Sequence, residues 1–156
     1  MVDSEDYELD FEPIENIQDA DDIPEYDIKD IIVYSRDWTT ETILGQIEQG
    51  NIDLNPSFQR RNAWSDDKRS KLIESVIKGY PIPEIVLAER RDRKNSYVVI
   101  DGKQRLLTLA GFKTPEVYQY WDKPIVKNVS IEGNSSSFTY EDFQSMPAIL
   151  RAFQNS

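Results

Sequence analysis

One stretch of the sequence predicts a sharp turn from a strand into a helix: Val98-Val99-Ile100-Asp101-Gly102-Lys103-Gln104-Arg105-Leu106-Leu107. The apolar run stops at Asp101-Gly102, and apolar residues with helical spacing resume at Leu106. The pattern predicts a buried strand followed by an amphipathic helix, with Asp101 at or near the helix N-cap. Backbone N–H groups and the positive end of a helix dipole at such a turn favour phosphate or another anion. Lys103, Gln104 and Arg105 would project from the first helical turn, beside that anion.

The composition limits the chemistry that this chain can perform. Its 156 residues suffice for one domain with a hydrophobic core and hardly for two. The sequence has no cysteine and no histidine, which excludes disulfides, zinc sites built from these residues and His-based catalysis. A metal would have to be held by carboxylates and carbonyls, which favours Mg²⁺, Mn²⁺ or Ca²⁺. A general base would have to be Asp, Glu, Lys, Tyr or an activated water.

Negative charge is concentrated in the first 30 residues. They hold thirteen acidic side chains and one lysine, a net charge of −12, whereas the whole chain carries −11. Low hydrophobicity and self-repulsion predict that residues 1–30 form a disordered tail. Such a tail can simply solubilise the protein, or it can mimic nucleic-acid phosphate and cover the basic region at residues 58–105. That region is only mildly basic, with twelve basic and seven acidic side chains.

The N-terminal residues show no basic-then-apolar signal pattern, and no apolar run approaches the ~18 residues of a membrane span. We therefore expect a cytoplasmic protein without a membrane partner.

Hydrophobic periodicity and capping residues predict the elements between residues 31 and 112. The predicted strands are 31–34, 85–87 and 97–100, with a brief extended piece at 52–54. Two helices begin after the N-caps Thr39 or Thr40 and Ser65, and they end at Gly50 and Gly79. The helix that follows Asp101 is expected to end near Gly111.

Beyond Phe112 the pattern has no clear period, although aromatic residues are frequent. We expect residues 113–156 to be an extension that forms an incomplete part of a larger domain, because its aromatic side chains need a surface to pack against. The chain thus divides into an acidic tail (1–30), a domain (31–112) and this extension (113–156).

Four motifs occur in order along the chain: Pro56…Phe58-Gln59-Arg60…Trp64, Leu72-Ile73-Glu74-Ser75, Pro81-Ile82-Pro83 and Asp101-Gly102-Lys103-Gln104-Arg105-Leu106. Their order and spacing resemble the N-terminal domain of GmrSD-type restriction endonucleases, within the ParB/sulfiredoxin-like superfamily, over roughly residues 30–112. The resemblance implies a small α/β (α+β) domain with a short mixed sheet flanked by helices, in which the polar motifs meet around one cleft. It also implies a module of bacterial defence against phage that acts on DNA, through nucleotide hydrolysis or as a nuclease.

The resemblance assigns roles to particular residues. Asp101, Gln104 and Arg105 match the family's Asp-Gly-Gln-Gln-Arg motif and would be catalytic. Asp101 would be either a ligand of Mg²⁺ that accompanies a nucleoside triphosphate or a base that positions water. The phosphate-binding residues would be Gln59, Arg60, Gly102, Lys103 and Arg105, with Lys103 in place of the commoner Gln. Family members often continue into a His-containing nuclease domain, which a partner subunit would have to supply here. The alternative is a non-catalytic DNA- or partner-binding module, a fragment or shortened relative of such an enzyme.

Each functional interpretation has a structural alternative. Asp101 can be a plain N-cap, worth ~1 kcal/mol to the helix. Arg105 can form a surface ion pair, and Lys103 can be an exposed, solvated lysine. Trp64 is more typical of a core residue than of a platform for base stacking, because a capped helix begins directly after it. The turn at residues 90–94 is most often solvated, although it could contact the DNA backbone in a salt-dependent manner.

Overall fold

The computed structural model describes residues 31–34, 38–54, 64–131 and 134–156. Its elements are β1 (Ile31–Tyr34), α1 (Thr40–Glu48), β2 (Ile52–Asp53), α2 (Asp66–Lys78), β3 (Val86–Arg90), β4 (Tyr97–Asp101), α3 (Lys103–Lys113), β5 (Val126–Ile131), β6 (Asn134–Phe138), α4 (Tyr140–Phe143) and α5 (Pro147–Gln154). The fold is α+β, as the sequence predicts. The acidic tail and the segment that carries Gln59 and Arg60 lie outside the described residues. Within the described ranges, no helix is long and apolar enough to cross a membrane.

One compact unit contains a four-stranded mixed sheet in the order β1-β3-β4-β2. The β1–β3 and β3–β4 pairs are antiparallel, and the short β2 joins β4 in parallel. Strands β3 and β4 form an antiparallel hairpin. The consecutive residues Leu87 and Ala88 are both buried, as is Val98, so both faces of the hairpin are covered. The sheet order could not be read from the sequence, because periodicity identifies strands without pairing them.

The second compact unit contains α2, most of α3, the antiparallel β5–β6 hairpin, α4 and α5. Helix α2 follows the sequence prediction closely. The Ser65 hydroxyl accepts the N–H of Lys68 as an N-cap, and Gly79 ends the helix at φ 74°. Such a φ favours glycine because a side chain would be strained there. Leu72 and Ile73 lie on the buried face of this helix.

Helix α3 is buried on every side, so the prediction of an amphipathic helix was wrong. All residues from Gly102 to Phe112 are buried, including Thr108, which donates a hydrogen bond from Oγ1 to the Gln104 carbonyl (2.8 Å). A helix surrounded in this way is a central element rather than a surface one. The helix ends at Lys113, two residues past Gly111, which confirms the predicted end near Gly111.

The aromatic side chains beyond residue 112 pack around Phe112 of α3. The Phe112 ring lies 5.8 Å from Trp121, 5.3 Å from Phe143 and 5.8 Å from Phe153, measured between ring centroids. Trp121 is held in addition by a 3.0 Å hydrogen bond from its Nε1–H to the Thr108 carbonyl. These contacts identify the surface on which the aromatic side chains pack, which the sequence pattern alone does not define.

Candidate functional site

A one-residue turn joins β4 to α3. Asp101 is the last residue of β4, and α3 begins at Lys103. Gly102 between them has φ 101°, a conformation that strains any residue with a Cβ. Asp101 therefore lies one residue before the N-cap position, which agrees with the prediction that it lies at or near the N-cap.

A β-bulge immediately precedes Asp101. Asp101 lies opposite Val86, whereas Val99 lies opposite Leu87, so Ile100 is an extra residue in β4. A bulge bends its strand and redirects the side chains that follow it, and bulges are frequent next to active sites. Asp101 directly follows this bulge, and its Oδ1 atom is buried. No feature of the sequence predicts the bulge.

Three consecutive polar side chains are buried in the first turn of α3. The exposed fractions are 3% for Lys103, 2% for Gln104 and 2% for Arg105. The alternatives of a solvated Lys103 and a surface ion pair at Arg105 were therefore wrong. Lys103 and Arg105 both make polar interactions within the protein. Buried lysine and arginine are uncommon, because removing a charge from water costs several kcal/mol unless an opposite charge or hydrogen bonds offset it.

The position of these cations on the helix opposes the usual electrostatic preference. The first turn of a helix carries a partial positive charge and favours acidic side chains. Helix α3 has no acidic residue in its first turn but has Lys103 and Arg105 there. The first turn of α2, by contrast, contains Asp66 and Asp67. An anion bound at the start of α3 would interact favourably with both the dipole and the cations.

Gln104 connects the start of α3 to the residue that precedes α2. Its Oε1 accepts a hydrogen bond from the backbone N–H of Trp64 at 3.3 Å, and both residues are buried. The indole is in the core, as the sequence favours, with the Lys68 ammonium 4.7 Å from the ring centroid. In the sequence, Trp64 follows the segment that carries Gln59 and Arg60.

A third buried cation, Arg69, was not singled out by sequence reasoning. Its Nη1 lies 2.9 Å from Asp66 Oδ1, and the same carboxylate accepts the backbone N–H groups of Asp122 (3.4 Å) and Lys123 (2.9 Å). The i, i+3 spacing of Asp66 and Arg69 is the signal that could have revealed the pair. Its geometry indicates a structural tie between α2 and the turn at residues 122–123.

The structure locates part of the predicted site. It describes Asp101, Gly102, Lys103, Gln104 and Arg105, which are contiguous, whereas Gln59 and Arg60 lie outside the described residues. Among the described residues, no group of three or more acidic side chains is arranged to hold a metal ion.

Comparison with known families supports the motif-based assignment. The family model for the N-terminal domain of the GmrSD restriction endonuclease matches residues 40–153. The comparisons with curated proteins and with solved structures gave no match. The matched range includes the segment Asp101–Arg105 and extends through α5. The chain therefore belongs to the GmrSD restriction endonuclease N-terminal domain family, and it is a module of a restriction-type, anti-phage system that acts on DNA.

Proposed function

We propose that this domain binds and hydrolyses a nucleoside triphosphate, with its phosphates held at the first turn of α3. The observation that carries the proposal is the burial of Lys103 and Arg105 at the positive end of that helix. A phosphate placed there accepts hydrogen bonds from the guanidinium and the ammonium and also interacts favourably with the helix dipole. Segment 101–105 alone carries +1, so it attracts an anion before any other residue contributes.

Asp101 and Gln104 have different roles in this proposal. Asp101 ends β4 beside the phosphates and would orient the attacking water. One carboxylate also suits Mg²⁺, which at nucleotide sites takes one or two carboxylates together with phosphate oxygens and waters. Mg²⁺ would offset the phosphate charge there. Gln104 is a positioning residue rather than a catalytic one, because its Oε1 already accepts the Trp64 N–H.

Nucleotide binding can be tested by calorimetry with each of the four nucleoside triphosphates and Mg²⁺. The key variant is Arg105→Met, which removes the charge and keeps an unbranched side chain in the buried position. Charge-assisted hydrogen bonds contribute ~1.5–3 kcal/mol each, so affinity should fall by about 10- to 100-fold. The matched control is Arg69→Met, which removes another buried arginine from the first turn of a different helix. Because Arg69 pairs with Asp66 in its own helix, Arg69→Met should lose stability but keep nucleotide affinity.

The outcomes separate the three activities open to this family member. Phosphate release that Asp101→Asn abolishes, with nucleotide binding retained, supports hydrolysis. Binding without turnover in the unmodified protein points to the non-catalytic module, and DNA cleavage that needs Asp101 but no nucleotide points to the nuclease. Absence of binding heat for every nucleotide, in a protein that unfolds cooperatively, would refute the proposal. Equal losses in the Arg105→Met and Arg69→Met proteins would also refute it.

A further inference from the structure

The turn between β3 and β4 is fixed by its own hydrogen bonds. The Arg90 guanidinium donates two hydrogen bonds to Asp92, from Nε to Oδ1 at 3.1 Å and from Nη2 to Oδ2 at 2.7 Å. The backbone N–H of Asn95 donates to Glu89 Oε1 at 3.3 Å, and Asn95 itself has φ 59°. These bonds hold the acidic groups of the turn within the turn. We call residues Arg90 to Asn95 the basic tip.

The remaining charges of the basic tip are positive and face water. Arg91, Arg93 and Lys94 are exposed, whereas the one carboxylate of the tip is bound by Arg90. The hydrogen bonds from Arg90, with a smaller contribution from Arg93, hold the pKa of Asp92 below its ordinary value. With four basic side chains and one acidic one, the tip has a net charge of +3.

We propose that the basic tip contacts the phosphodiester backbone of double-stranded DNA. Because the whole chain carries −11, its overall field repels DNA, and any contact must come from a local concentration of positive charge. Three cations on a turn of fixed shape can reach neighbouring phosphates with little loss of backbone entropy. This proposal is independent of the nucleotide site at α3, and it remains valid if the protein is found to bind no nucleotide.

The salt dependence of DNA binding tests this contact. Arg91→Gln/Arg93→Gln/Lys94→Gln is compared with Lys123→Gln/Lys127→Gln/Arg151→Gln, which removes two lysines and one arginine from other exposed positions. Both variants change the net charge from −11 to −14. Binding to a blunt 30-base-pair duplex is measured by fluorescence anisotropy at several KCl concentrations, without Mg²⁺, so that no cleavage occurs.

Each phosphate contact contributes a slope of about 0.9 to the plot of log affinity against log salt concentration. The tip variant should therefore show a slope shallower by about 2 to 3, and an affinity at ~0.1 M salt lower by on the order of 100-fold. The control should keep its slope to within ~1. Nucleotide binding by the tip variant should be unchanged, which separates this inference from the proposed hydrolysis. An unchanged slope in the tip variant, an equal loss in the control, or no duplex binding by the unmodified protein would overturn it.

Discussion

Gly111→Ala is expected to destabilise the protein even though it replaces a glycine inside a helix. A Cβ added at Gly111 would lie 2.9 Å from Trp121 Cδ1, 3.0 Å from the Tyr118 carbonyl oxygen and 3.3 Å from Trp121 Nε1. When an added Cβ lies less than 3.0 Å from another atom, that atom or the helix backbone has to move. One of the neighbours is backbone, and the other is a ring anchored by its hydrogen bond to Thr108. Neither can move freely.

Two opposing effects decide the sign of the change. Replacing glycine with alanine in a helix stabilises it by ~0.5–1 kcal/mol. Overpacking a buried site costs ~1–3 kcal/mol. Displacing the indole far enough to break its hydrogen bond would leave a buried N–H and carbonyl unsatisfied, at a cost of ~1–3 kcal/mol. The steric and hydrogen-bond costs exceed the helix gain, so the free energy of unfolding should fall by about 1–3 kcal/mol.

Gly45 provides the matched control. It also lies inside a helix, α1, but a Cβ added there meets nothing within 4 Å. Gly45→Ala should therefore raise the free energy of unfolding by ~0.5–1 kcal/mol. Urea unfolding followed by tryptophan fluorescence measures both variants, and a change of 1 kcal/mol corresponds to about 2–4 °C in Tm for a chain of this size. If Gly111→Ala stabilises as much as Gly45→Ala, residues 118–121 do not pack on α3 as described.

Three further outcomes follow from the structure. Phe112→Ala should lower the free energy of unfolding by ~3–5 kcal/mol in urea, because the ring is 1% exposed among four other aromatic rings. Asp92 should titrate below its ordinary value of 3.8 in carbon-13 NMR, and Arg90→Gln should restore that value. Because this pKa is lower in the folded state, the Arg90–Asp92 contact should stabilise the turn above the unfolded-state pKa and be lost as pH falls through the folded-state pKa. Deleting residues 1–28, which hold twelve acidic side chains, should tighten DNA binding at low salt if the tail covers the basic region, and unchanged affinity would refute that role.

Local sequence signals predicted the elements whose ends are marked by capping residues. Ser65 and Gly79 bracket α2 because a hydroxyl cap and a left-handed glycine specify helix ends through bonds to nearby backbone. Gly111 shows the limit of such reasoning. It lies near the end of α3, as predicted, but its lack of a side chain is needed because Trp121, ten residues later, approaches the helix closely. That contact is tertiary, and no pattern in the residues around Gly111 indicates it.

The same distinction applies to the candidate site. The Asp-Gly turn is a local signal, and Gly102 at φ 101° confirms it. The bulge at Ile100 and the burial of Lys103 depend on strand pairing and on packing around α3, which no window of sequence contains. Sequence reasoning therefore located the polar segment correctly but misjudged the environment of its cations. It also could not foresee that Gln104 would bond to Trp64, forty residues earlier.

The placement of Lys103 and Arg105 suggests how ligand binding and stability are connected in this domain. Sequences usually agree with the local rules of their structure, and exceptions concentrate where function requires them. Two buried cations at the positive end of α3 are such an exception, since the helix dipole disfavours positive charge there. A bound phosphate would interact favourably with both the cations and the dipole, so its binding free energy would add to the stability of the folded state. A ligand at 100 times its Kd stabilises the folded state by ~2.7 kcal/mol. Nucleotide should therefore raise Tm in the unmodified protein and raise it less in Arg105→Met, whose affinity is expected to be about 10- to 100-fold lower.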